Sequence, residues 1–165
     1  MDKTLKILND LLAAGVLGRY AIGGAMAATF YAEPVSTFDL DIFVALPETS
    51  GGLVTLSPLY DALRGIGYVE SGEFVTIEGV PVQFIPPYNA LVEESVQQAR
   101  DTTYNSVPTR VIRLEYLIAI ALQTGREKDR QRVRLLTSQA RADTALLNAI
   151  LARHSLTSKW NEWDR

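Results

Sequence analysis

Between Thr4 and Val16 the residues Leu5, Leu8, Leu11, Leu12 and Gly15 recur at helical spacing, which predicts an amphipathic helix laid against a core. Gly15 and Gly18 end it. The short apolar run Arg19 to Ile22 predicts a strand, Gly23-Gly24 a turn out of it, and Ala25 to Ala32 a helix of small and aromatic residues. Glu33-Pro34 stops that helix, because a proline disfavours helical geometry in the residue before it. Phe38 to Leu46 is then a second strand. Its apolar residues Phe38, Leu40, Ile42, Phe43 and Val44 form a nearly continuous buried run, interrupted by Asp39 and Asp41.

Pro47 to Leu56 is rich in glycine, serine and threonine and reads as an exposed loop. Ser57-Pro58 resembles an N-cap followed by proline at the first helical position, opening a helix through Leu63 and Arg64 that Gly65 and Gly67 end. Tyr68 to Glu70, Phe74 to Glu78 and Val80 to Ile85 are three short β runs, the last two joined as a hairpin at Glu78-Gly79. Pro86-Pro87 closes that segment. Asn89 to Arg100 reads as a helix, and Thr102 to Ile112 as irregular chain or a short terminal strand. Leu114, Leu117, Ile118, Ala121 and Leu122 give a clean helical face up to Thr124-Gly125. A more polar helix follows from Arg126 to about Gln139, then one from about Asp143 to Arg153, with Trp160 and Trp163 packed on the helices or at a partner contact. Strands and helices without strict alternation predict an α+β (α/β) mixed sheet over residues 1–112, and residues 113–165 form a helical segment packed on it.

Composition narrows the chemistry. The chain has 165 residues, no cysteine, a single histidine and a formal net charge of −3. It is long enough to bury a real core. The missing cysteines exclude disulfides, thiolate zinc sites and cysteine nucleophiles, so any metal is held by oxygen. His154 has no triad partners in an obvious motif near it, which argues against a serine–histidine–carboxylate enzyme, and it reads as a surface residue of the last helix. The acidic balance argues against broad binding to a nucleic-acid backbone, and no DNA partner is expected. No apolar run is long enough to span a bilayer, and Met1-Asp2-Lys3 opens directly into a helical pattern; a soluble, cytoplasmic protein without a membrane partner is expected.

Asp39 and Asp41 stand two apart on a strand, so their side chains leave the same face with origins about 7 Å apart. They can converge on one divalent cation, for which all-oxygen ligation suits Mg²⁺ or Mn²⁺. The plainer alternative is an exposed strand end with two ordinary aspartates. Gly23-Gly24 lets backbone approach a ligand, and the helix after it aims free N–H groups at an anion; by itself the pair favours a plain tight turn between strand and helix. Arg126, Lys128, Arg130, Arg132 and Arg134, interrupted by Glu127 and Asp129, either present cations to a nucleotide or RNA or form a solvated face with local ion pairs.

Gly23-Gly24, a helix, and then Thr37-x-Asp39-x-Asp41 on a strand together resemble the signature of the nucleotidyltransferase superfamily with the polymerase-beta-like fold. The similarity is strongest to small bacterial nucleotidyltransferase-like proteins of the abortive-infection and toxin–antitoxin type. It extends to Leu114-Glu115-Tyr116-Leu117-Ile118-Ala119-Ile120 and Gly125-Arg126-Glu127-Lys128-Asp129-Arg130. The resemblance implies that Gly23 and Gly24, with Thr37, Arg126 and Lys128, bind a nucleoside triphosphate, and that Asp39 and Asp41 bind Mg²⁺ (or Mn²⁺). It also implies attack of an acceptor hydroxyl, on a protein or an RNA, at the α-phosphate, with pyrophosphate leaving.

The chain departs from that pattern at three positions. The superfamily's third carboxylate falls at Gln83, which cannot act as a base; its amide could instead donate to Asp39, Asp41 or a phosphate, or be satisfied by backbone. Glu78, across the hairpin turn, is a candidate substitute. Val35 stands where an arginine is common, and Ala121 where a phosphate-binding lysine is common. These losses imply the alternative of a catalytically inactive relative that acts as a nucleotide sensor or a protein-binding partner.

Overall fold

The computed structural model describes residues 1–34, 36–45 and 55–163. Val35 lies outside the described residues, as does the loop expected at Pro47 to Leu56 except for Thr55 and Leu56. Seven strands are present among the described residues: β1 (Tyr20–Ile22), β2 (Leu40–Val44), β3 (Glu70–Ser71), β4 (Phe74–Ile77), β5 (Val80–Ile85), β6 (Arg100–Tyr104) and β7 (Val107–Val111). They form one sheet in the order β3-β4-β5-β2-β1-β7-β6. β2 runs parallel to β5 and β1 parallel to β7, while β1 and β2 are antiparallel and the outer pairs are hairpins. The helices are α1 (Asp2–Ala13), α2 (Gly24–Ala28), α3 (Ser57–Gly65), α4 (Ala90–Gln97), α5 (Leu114–Thr124), α6 (Glu127–Gln139), α7 (Thr144–Arg153) and α8 (Thr157–Trp163). The architecture is therefore α+β, as the pattern of elements predicts.

Leu40 and Ile42 of β2, Val82 and Phe84 of β5 and Ile22 of β1 are buried in one core with Leu5 and Leu8 of α1. Burying this much apolar surface is what drives the sheet and α1 together. α5 is buried on almost every face, packing against α2, α4, α6 and α7. α2 touches β2, α5 and α6, so the short helix after Gly23-Gly24 joins the sheet to the helical segment. No helix among the described residues is long and apolar enough to cross a membrane.

Several elements differ from expectation for identifiable reasons. α2 stops at Ala28 because Thr29, Phe30 and Tyr31 take i→i+3 bonds to Met26, Ala27 and Ala28, and the Thr29 hydroxyl donates to the Met26 carbonyl at 2.7 Å. Ser57 is the first helical residue of α3 rather than its cap, and its N–H donates to Thr55 Oγ1 at 3.1 Å. Asn89 caps α4 by accepting from Val92 N–H at 2.9 Å, and the helix ends at Gln97. Arg100 to Val111 then forms a hairpin, not irregular chain; Asn105 and Ser106 both hold positive φ, 45° and 69°, in its two-residue turn. Phe38 precedes the β2 ladder and is 85% exposed, not part of the buried run.

His154 is not a surface residue. Its side chain is 11% exposed and its Nε2 lies 2.8 Å from Glu94 Oε2, in a cluster where Glu94 also receives the Tyr116 hydroxyl and Arg153. Burial and the neighbouring Arg153 charge lower its pKa.

Candidate functional site

A cavity of about 890 Å³ opens between the sheet at β2 and β5 and the helices α5 and α6. Gly24, Asp39, Asp41 and Gln83 line it from the sheet side, and Ala121, Arg126, Lys128 and Arg132 from the helical side. Phe43 and Ile85 give its floor an apolar character. The alternation of β2 explains the sheet side: Leu40 and Ile42 face the core, which leaves Asp41 and Phe43 on the opposite face.

The two glycines are required by β2. Gly23 donates its N–H to the Asp41 carbonyl at 2.9 Å, and a Cβ on Gly23 would lie 2.0 Å from Cε2 of Phe43. Gly24 has φ +58°, and a Cβ there would lie 1.8 Å from Oδ2 of Asp41. No side chain fits in that gap. The turn after β1 is therefore pressed directly against the Asp41 carboxylate, and Gly24 lines the cavity while Gly23 packs on Phe43.

Asp39 sits one residue ahead of β2 and not within it. Its Oδ1 accepts the Thr37 hydroxyl at 2.8 Å, so Thr37 orients an aspartate and is not itself a lining residue. Burial, and then the charge of Asp39, push the Asp41 carboxyl above its usual pKa, with Arg132, Lys128 and Arg126 acting in the opposite direction. Two crowded carboxylates of which one is desolvated make a cation favourable, and hard oxygen donors suit Mg²⁺ or Mn²⁺. Among the described residues no group of three or more His, Asp or Glu gathers around one point. Two carboxylates alone would leave most positions of a hard cation to water or a phosphate, which is how Mg²⁺ is usually held.

The opposite wall is built on a buried carboxylate. Asp129 is 1% exposed; its Oδ2 accepts Arg126 Nε at 2.7 Å and its Oδ1 accepts Arg132 at 3.2 Å. That hydrogen bond raises the Arg126 pKa, so its charge is secure. Arg126 and Lys128 were singled out by sequence; Asp129 and Arg132 were not. The signal was the Arg126-x-x-Asp129-x-x-Arg132 spacing, which puts all three on one helical stripe. The rest of the basic run scatters: Arg130 lies 5.7 Å over the Trp163 ring and Arg134 is exposed. It forms no single basic face. Ala121 leaves its part of the wall small and apolar.

Gln83 pairs in register with Asp41, so both side chains leave the same face of the sheet. Its Nε2 donates to Oε2 of Glu73 at 2.8 Å, rather than to either aspartate. Glu78 does not reach the cavity: it accepts the Tyr68 hydroxyl at 2.6 Å and lies 3.9 Å from Lys3. Glu73, in the turn between β3 and β4, lines the cavity instead. Nothing in the sequence around Glu73 marks it out; only the pairing of β4 with β5 brings it to the cavity.

No family model and no curated protein matches this sequence. Solved structures do match its fold. An antigenic nucleotidyltransferase-like protein from Paracoccidioides brasiliensis aligns over 96% of this chain and 92% of its own, with a TM-score of 0.54 and 17% identity. ANT(2")-Ia, solved in complex with adenylyl-2"-tobramycin, aligns over 94% of this chain and 98% of its own, with a TM-score of 0.53 and 16% identity. The chain has a nucleotidyltransferase-like fold.

Proposed function

We propose that this protein binds a nucleoside triphosphate together with Mg²⁺ and transfers its nucleotidyl group to a hydroxyl acceptor. The observation that carries this reading is the contact of Gly24 with the Asp41 carboxylate, facing Arg126, Lys128 and Arg132 across one cavity. Asp39 and Asp41 would hold the cation, with Thr37 fixing the rotamer of Asp39. Arg126 and Arg132, braced by Asp129, and the exposed charge of Lys128 would bind the phosphate chain; guanidinium groups suit phosphate oxygens through paired N–H donors. The cation, when bound, neutralises charge that develops at phosphate oxygens. In the reaction the acceptor oxygen bonds to the α-phosphorus as the bond to the β-phosphate oxygen breaks, and pyrophosphate leaves. ANT(2")-Ia is known in complex with an adenylylated compound, which supports the transfer reading on a shared fold; the acceptor here is a hydroxyl of a small molecule, a protein or an RNA.

Gln83 favours a second reading. With an amide in place of an acid beside Asp41, the protein would bind nucleotide and metal without transfer, acting as a sensor or as the partner of another protein in a toxin–antitoxin pair. Incubation with α-labelled nucleoside triphosphates and Mg²⁺, with and without cell extract, separates the two. Transfer lost in Asp39→Ala/Asp41→Ala supports the enzyme. Metal-dependent binding without transfer supports the sensor, and transfer that persists in the variant removes these aspartates from the mechanism.

A further inference from the structure

The transfer reaction needs somewhere to put the proton of the acceptor hydroxyl, and Gln83 cannot take it. Its amide is nevertheless committed, donating to Oε2 of Glu73 at 2.8 Å. The β4–β5 hairpin explains how a distant residue arrives there. Val75 pairs with Val82, so the next row sets Phe74 beside Gln83 and brings the Gly72-Glu73 turn to the same end of the sheet. Gly72 holds φ +64°, which turns the chain sharply between β3 and β4. Glu78 sits at the far end of the same hairpin, tied to Tyr68 and Lys3. Glu73 and Gln83 both line the cavity that Asp39 and Asp41 line.

We infer that Glu73 is the general base of the transfer reaction and that Gln83 is the positioning residue that holds it. The inference rests on the nucleotidyl-transfer reading of the cavity. The acid that the resemblance would place on the strand beside the aspartates is here delivered from the neighbouring turn, and the amide of Gln83 occupies the strand position to anchor it. Glu73 acts as a base and not as a metal ligand, since it does not join Asp39 and Asp41 in a three-carboxylate group among the described residues. The acceptor O–H proton passes to a Glu73 carboxylate oxygen. The freed electron pair forms the new bond to the α-phosphorus, and the pair of the breaking bond leaves on pyrophosphate. A carboxylate on an exposed turn also suits this task because an acceptor can reach it from solvent.

The test follows α-labelled ATP and Mg²⁺ with cell extract as the source of acceptor, in the full chain, alongside calorimetric binding of Mg-ATP. Glu73→Gln is expected to bind Mg-ATP within about 2-fold of wild type and to transfer about 10²–10⁴-fold more slowly. Glu73→Asp should recover part of the rate. Gln83→Leu should slow transfer by about 10-fold at unchanged Mg-ATP affinity, with no further loss when combined with Glu73→Gln, because the two residues act as a unit. Glu73→Gln transferring at the wild-type rate would overturn the base assignment and leave the transferase reading standing. Wild-type protein that binds Mg-ATP but labels nothing would overturn both, and wild-type protein that binds no Mg-ATP would remove the site itself.

Discussion

The two walls of the cavity are fixed by different physics. The sheet side is set by backbone: Gly24 at φ +58° touches Asp41, whose own place follows from the pairing of β2 with β1 and β5. The helical side is set by charge: Asp129, buried to 1% exposure, draws together Arg126, which precedes α6, and Arg132 on it. Backbone geometry tolerates almost no substitution, whereas an ion-paired cluster can lose a member and keep its fold. The acidic wall is thus held by backbone and the basic wall by ion pairs, which would suit the proposed division between a cation on one side and a phosphate chain on the other.

Emptying each wall in turn has the largest expected effect. Asp39→Ala/Asp41→Ala is expected to weaken Mg²⁺-dependent nucleotide binding by at least ~10²-fold. Arg126→Ala/Arg132→Ala should cost about 10-fold, and more for ATP than for AMP, since on the proposed reading it would remove charge-assisted hydrogen bonds to the outer phosphates. Filter binding of labelled nucleotides reads both; equal losses for AMP and ATP in the arginine variant would detach those residues from the phosphates.

Gly24→Ala tests the acidic wall alone. The strained φ and the 1.8 Å approach to Asp41 Oδ2 are expected to cost about 1–3 kcal/mol, read as a drop in urea midpoint with nucleotide binding lost as well. On the basic wall Asp129→Asn is expected to lower stability by about 1–2 kcal/mol and to erode the preference for ATP over AMP without abolishing binding.

Asp41→Asn sharpens the contrast in the opposite direction. Because burial and Asp39 raise the Asp41 pKa, its contribution to stability is present below the ordinary carboxylate range and is lost as pH rises through the raised value. At neutral pH without metal, Asp41→Asn should therefore melt above wild type, and the gap should close as pH falls through that window. A variant that melts below wild type at neutral pH would show that the fold does not strain this carboxylate. Phe38→Ser should be the quietest change, within about 0.5 kcal/mol in the same assay, because Phe38 is 85% exposed.

The sequence was most legible where geometry is local. Gly23-Gly24 as a turn, Val80–Ile85 as a strand and the α5 face ending at Gly125 follow from neighbours a few residues apart. Asp39 and Asp41 were visible as a pair for the same reason, although the start of β2 at Leu40 could not be read from the apolar run that includes Phe38. What stayed hidden depends on pairing across the chain. Glu73 gains meaning only from the hairpin register that brings it to Gln83, and Asp129 only from the packing of α6 on α5 that buries it. The β6–β7 hairpin was missed because its turn uses Asn105-Ser106 in place of a glycine. His154 looked solvated because nothing local announces that Glu94, 60 positions away, will meet it.

The most direct measurement is calorimetric titration of ATP into the wild-type protein with Mg²⁺ and again with a chelator. Saturable binding that requires Mg²⁺, and that vanishes in Asp39→Ala/Asp41→Ala with the fold intact by circular dichroism, is the expected result. Binding that is unaffected by the chelator, or that survives the double substitution, would contradict the assignment of this cavity to a metal-bound nucleotide.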